Sequence, residues 1–148
     1  MSHKAIDIAN AILNLIDPNV GDVISNLKLQ KLLYYVQGFN LALFDKPIFD
    51  DIIEAWNYGP VVPNVYYHYK DYGSDAIPLP ASYEGAELTA NERSLIGLIY
   101  QDYGQFSAFK LMDMTHEEPT WINARKRSDK IITQSAMKEY FLTLCEDE

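Results

Sequence analysis

A single cysteine, Cys145, in a chain of 148 residues excludes an intramolecular disulfide framework and supplies too few thiols for a metal cage. The expectation is a reducing, cytoplasmic setting. No run of apolar residues approaches the roughly 18 needed for a membrane-spanning helix, and the opening MSHKAIDIAN lacks the basic, apolar and small-residue regions of a secretory signal. No membrane partner is therefore expected. Basic residues are also scarce: 12 Lys and Arg face 21 Asp and Glu, for a net charge of −9, which disfavours a polyphosphate partner. The one basic concentration, Arg125, Lys126, Arg127 and Lys130, reads as a solvated helix end rather than a nucleic-acid contact.

Neither GxGxxG nor GxxxxGK occurs, so no phosphate-binding loop is indicated. Of the three histidines, only His116 adjoins carboxylates, in Thr115-His116-Glu117-Glu118-Pro119. A zinc-protease helix needs a second His four residues further on, where this chain has Thr120. An imidazole followed by acids near a helix break reads more readily as a structural hydrogen-bonding group than as a general base. No catalytic residue, metal or cofactor is expected.

What is present is helical periodicity. A chain of this length suits one domain over residues 1–148, burying about 68 to 70% of its unfolded surface. Its centre is the stretch 26–44, NLKLQKLLYYVQGFNLALF, where Leu29, Leu32, Leu33, Val36 and Leu43 form an apolar stripe with Phe39 and Phe44 at the margins. Tyr34, Tyr35 and Leu41 carry apolar character further round, so other helices should enclose it. Asn40 sits inside the stripe; Lys28, Gln30, Lys31 and Gln37 are the polar exceptions, and Lys31 lies beside Gly38 and Ala42 on a narrow face that another backbone can approach closely.

Around this centre, Ala5 to Ile16 repeats at helical spacing, with Ser2 as a candidate cap and Asp17-Pro18-Asn19 as the stop. Ser25 or Asn26 caps the central helix. Residues 48–60 read as irregular or briefly extended, because Pro60 forces extension before it and Gly59-Pro60 signals a turn. Pro63 suits a helix first turn, and 73–87 reads as an exposed loop. Thr89 and Glu92 have capping-box spacing for a helix that Gly104 should end in a left-handed conformation. Ser107 caps the next, Pro119 interrupts it, Thr120 to Arg127 forms a short helix, and Thr133 opens the last. The class is mainly α, one compact helical domain around a buried central helix. Trp56, Tyr58 and Trp121 each flank a turn residue and read first as core that packs irregular segments onto helices, with a partner anchor as the alternative. The eleven tyrosines, with those at 66, 67, 69 and 72 crowded on one helix, exceed what one buried face encloses, so some hydroxyls should meet solvent or a partner.

NLKLQKLLYYVQGF, EAWNYGPVVPNVY and LMDMTHEEPTWINAR, in this order, resemble the Panacea, or SocA-like antitoxin, domain, a group that includes phage-associated GepA proteins. ITQSAMKEYF is similar to the family's last helix. The resemblance implies a helical domain whose members are commonly encoded beside a toxin, neutralise it and in some cases deliver it to a protease. The implied role is an antitoxin acting by direct binding on a cognate toxin encoded by an adjacent gene. An adaptor for an ATP-dependent protease is the alternative, and a His116 and Glu117 enzyme or ligand module bordered by Trp121 a lesser one. Among the motif residues, Lys31, Tyr35, Tyr58, His116, Glu117, Trp121 and Arg125 include polar groups that burial alone does not explain, and they are expected to form or support the partner-binding surface. Lys31 and Glu117 are a candidate buried ion pair.

Overall fold

In a computed structural model the described residues are 2–17, 19, 23–79 and 87–145. They form α1 (Ala5–Leu13), α2 (Asn26–Phe44), strands β1 (Ile53–Trp56) and β2 (Gly59–Val61), and α3 (Pro63–His68) followed by a 3-10 turn at Lys70–Tyr72. Then come α4 (Ala90–Tyr103), α5 (Ala108–His116), α6 (Pro119–Arg125), β3 (Ile131–Ile132) and α7 (Gln134–Cys145). The fold is mainly α, as expected, with the extended segments confined to a small sheet.

α2 spans the stretch expected of it because both ends are fixed locally. The Ser25 hydroxyl accepts from the Lys28 amide, and Asp45 stops the helix in a left-handed conformation with φ of 58°. Helices α1, α3, α4, α5 and α7 and strand β2 pack around it. Leu29, Leu32, Leu33, Tyr34, Tyr35 and Val36 have no solvent exposure, whereas Leu43 is 52% exposed. Leu43 thus falls outside the expected stripe, since the covering elements leave that part of the last turn open.

Apart from Lys28, which bonds the Gly104 carbonyl, the buried polar side chains of α2 have a shared purpose. The connection from 46 to 66 holds only two short strands and the start of α3, and some of its buried backbone groups take side-chain partners from α2. Asn40 donates to the Lys46 carbonyl, and Gln37 donates to the Phe49 carbonyl while accepting from the Ile48 amide. Lys31 donates to the Pro60 carbonyl, Gln30 accepts from the Val62 amide, and Asn26 donates to the Tyr66 carbonyl. Asn26, Gln30, Gln37 and Asn40 on one helix face, and Lys31 on a neighbouring one, thereby hold the segment in place. The close approach expected beside Lys31 is real, because the Gly59-Pro60 backbone lies there. At Gly38 it is the Phe141 ring of α7 that occupies the space, 2.2 Å from where a Cβ would stand.

The sheet runs β2-β1-β3, all antiparallel, with Trp56 opposite Gly59 and Ile53 opposite Ile132. β3 was not anticipated: two residues have no readable period, and Asp129 starts the strand by accepting from the Ile131 amide. The Thr89–Glu92 capping box forms with both bonds, and Ser107 and Thr133 accept from the Lys110 and Ala136 amides. Pro63 and Pro119 each sit in the first turn of a helix.

Two end signals differ from expectation. Ser2 donates to Asp50 instead of capping α1, whose first amide is taken by Asp51 at 3.0 Å from the segment packed beside it. Gly104 is right-handed, with φ of −64°. Its carbonyl accepts from the Lys28 ammonium at 2.6 Å, so the helix end is satisfied without a left-handed turn. Of the expected loop at 73–87, residues 80–86 lie outside the described residues.

Candidate functional site

The hairpin turn between β1 and β2 is held far more tightly than an exposed turn requires. Gly59 adopts a φ of +106°, and a Cβ there would lie 2.6 Å from Lys31 Cε and 2.8 Å from Thr115 Oγ1. Only glycine meets both demands. From the other side, α5 and α6 reach over the turn. Arg125 donates to the Ala55 carbonyl at 2.9 Å and to Asn57 Oδ1 at 2.7 Å, and the Trp121 indole donates to the Trp56 carbonyl at 2.9 Å. His116 Nε2 meets the Asn57 carbonyl at 3.0 Å; a carbonyl only accepts, so this nitrogen carries the proton. The His116 ring stacks on Trp121 with centroids 4.2 Å apart, and the Arg125 guanidinium lies 5.8 Å from the Trp121 centroid. Pro119, at the first position of α6, starts the helix that spaces Trp121 and Arg125 one turn apart on one face.

Beneath the turn lies Lys31, fully buried, its ammonium nitrogen 3.0 Å from the Pro60 carbonyl. Burial pulls its pKa down from 10.5 to about 7. The expected ion pair with Glu117 is absent: Glu117 is exposed, at the C-terminal end of α5. The buried carboxylate is its neighbour Glu118, which accepts from Tyr34 at 2.6 Å and Tyr35 at 2.8 Å. Tyr34 also bonds the Thr120 hydroxyl. Burial raises the Glu118 pKa, and the two hydroxyl donors pull it partly back. Burial and then the Glu118 charge push Tyr103 and Tyr140 up to about 12, with Tyr103 stacked 4.1 Å from Tyr35.

Lys31, Tyr58, His116, Trp121 and Arg125 thus converge on one hairpin. Tyr35 belongs instead to the buried tyrosine–carboxylate network, and Glu117 to the surface. Sequence reasoning passed over Glu118 and Tyr34. Two adjacent tyrosines on an enclosed helix require hydroxyl acceptors, and a glutamate just before a helix-starting proline is placed to supply one.

A groove of about 510 Å³ opens between α6, β3 and α7, lined by residues that include Thr120, Ala124, Ile132, Ala136 and Tyr140. His116, Glu117 and Trp121 line neither this groove nor a smaller one of about 90 Å³ beside β1. Among the described residues no three His, Cys, Asp or Glu side chains are grouped to hold a metal, and no helix is long and apolar enough to cross a membrane.

The antitoxin SocA-like, Panacea domain family matches residues 29–122. The chain belongs to this family. The matched span runs from within α2 to just past Trp121, so the Panacea match covers the hairpin with Lys31, Thr115, His116 and Trp121 but not Arg125. A stretch of 61 residues is 43% identical to antitoxin SocA of Caulobacter vibrioides (strain NA1000 / CB15N), covering 39% of this chain and 32% of that protein. The alignment therefore spans about a third of that relative's length. A comparison with solved structures gives no match.

Proposed function

We propose that this Panacea domain is the antitoxin of a toxin–antitoxin pair, acting as a single domain that neutralises a cognate toxin by direct protein binding. The observation that carries the reading is the hairpin inside the family-matched span: Lys31, His116, Trp121 and Arg125 fix its backbone while Tyr58 at its tip stays 62% exposed. A turn immobilised in advance loses little conformational freedom on binding, which favours affinity. In this reading Lys31, His116, Trp121 and Arg125 position the surface, Tyr35 supports the core behind it, and Tyr58, with Glu117 nearby in sequence to His116, meets the toxin. The net charge of −9 suits a basic partner, whose encounter it would accelerate.

The test is co-expression with each small reading frame adjacent to the gene. The proposal expects one product that arrests growth alone, is tolerated with the antitoxin and co-purifies with it. If no neighbouring product is toxic and rescued, and none co-purifies, the antitoxin reading is abandoned.

A further inference from the structure

The hairpin continues into a cluster of aromatic rings that the clamp does not use. Trp56 meets Tyr66 edge-on with centroids 4.9 Å apart and lies 6.0 Å from Tyr67, and Tyr66 and Tyr67 are themselves 5.5 Å apart. Tyr67 is 59% exposed, and Tyr58 stands two residues beyond Trp56 at the tip. Trp56 and Tyr66 are half-buried and brace the exposed Tyr67, while Tyr58 projects from the turn, so the two exposed rings contribute little to the core. They are stiff, amphipathic side chains of the kind that anchor interfaces.

The surroundings indicate what they would hold. Glu54 accepts from the Trp56 indole at 2.8 Å, and a carboxylate has acceptor capacity beyond that one bond. Asp50 and Asp51 precede it, and Lys70 is the single Lys or Arg between 48 and 72. None of the ion pairs His3–Glu92, Arg127–Asp129 and Lys138–Asp45 draws on Asp50, Asp51 or Glu54. The ring faces already receive cations: Lys70 Nζ lies 5.8 Å from the Tyr67 centroid, and Arg125 lies the same distance from Trp121 on the clamp side of the hairpin. A planar guanidinium stacks on such faces while its edge donates to a carboxylate, which an ammonium does less well.

Resting on the antitoxin reading, we infer that Trp56, Tyr58 and Tyr67, rimmed by Glu54, form the toxin-docking surface, and that they receive an arginine-bearing segment of a basic partner. Arginine side chains of the partner lie over the rings, and their N–H edges reach Glu54.

The test titrates the labelled full chain with three peptides alternating glycine with arginine, lysine or glutamate, followed by NMR. The arginine peptide is expected to shift the Trp56 indole N–H and the Tyr58 and Tyr67 rings, to bind at least threefold tighter than the lysine peptide, and to leave the Trp121 indole unmoved. Tyr58→Ala with Tyr67→Ala should weaken it tenfold or more, with an unchanged denaturation midpoint. Phe109→Ala, a similarly exposed residue on α5, should change nothing. Equal arginine and lysine binding that persists in the double variant would reduce the effect to diffuse attraction by the acidic surface and overturn the inference, as would an unshifted hairpin. The same variants are then assayed against a co-purifying neighbouring gene product. If the wild-type chain binds no such product, the antitoxin reading fails while the peptides still decide the surface. If it binds one and the double variant binds it equally well, the surface is wrong and the antitoxin reading stands.

Discussion

Raising the pH from 7 to 9 stabilises this fold through Lys31. Its ammonium is enclosed between α2 and the hairpin with the Pro60 carbonyl as acceptor, and burial lowers its pKa from 10.5 to about 7. The unfolded chain keeps the lysine proton across this window and the folded chain releases it. The unfolded state therefore binds more protons, and stability rises with pH. Below pH 7 the folded state carries the whole cost of a buried charge; the relief begins as pH passes the folded value and is complete only near 10.5. At about 1.4 kcal/mol per pH unit, reduced by partial titration near 7, the gain between pH 7 and 9 is about 2 kcal/mol. Urea denaturation at steps across this range, at constant ionic strength, measures it. Lys31→Met preserves the volume and leaves the Pro60 carbonyl without its donor, at a cost of about 1–3 kcal/mol that does not vary with pH. The wild-type curve should climb relative to the Lys31→Met curve by that 2 kcal/mol. Parallel curves would refute the assignment of a neutral Lys31 at the upper end of the range.

Gly59→Ala should lose about 1–2 kcal/mol from its positive φ alone, and more because Lys31 must move, read as a lower urea midpoint. Thr89→Ala should cost about 1 kcal/mol by removing half of the capping box, and an unchanged midpoint would remove that cap from the account. Arg125→Lys keeps the charge and loses the two-pronged grip on Ala55 and Asn57, so amide exchange in β1 and the turn should accelerate while that of α4 does not. Glu118→Leu leaves the buried Tyr35 hydroxyl without its acceptor, at a cost of about 1–3 kcal/mol, while Tyr34 keeps the Thr120 hydroxyl as a partner; Glu118→Gln retains an acceptor oxygen and costs less.

The features legible in the sequence are those set by neighbouring residues. The bounds of the central helix, the Thr89–Glu92 box, the Ser107 and Thr133 caps and the first-turn prolines Pro63 and Pro119 all follow from contacts within one turn, so spacing reveals them. The misplaced features are settled by distant partners. Asp51 displaces Ser2 at the start of α1, Lys28 relieves Gly104 of a left-handed turn, and β3 exists only because Glu54 and Ile53 pair with it. The candidate site divides in the same way. The side chains that hold the hairpin were singled out because they are polar or aromatic within three motifs. That Lys31 bonds a backbone carbonyl, and that Glu118 and not Glu117 turns inward, depends on how α5 and α6 lie against α2, which no local pattern encodes.

The most direct test of the claim that the clamped hairpin presents the toxin-binding surface is the affinity of the co-purified toxin for Tyr58→Ala with Tyr67→Ala, set against wild type. The account predicts a loss of tenfold or more with growth rescue impaired and the denaturation midpoint unchanged. Wild-type affinity and full rescue in the double variant would contradict it.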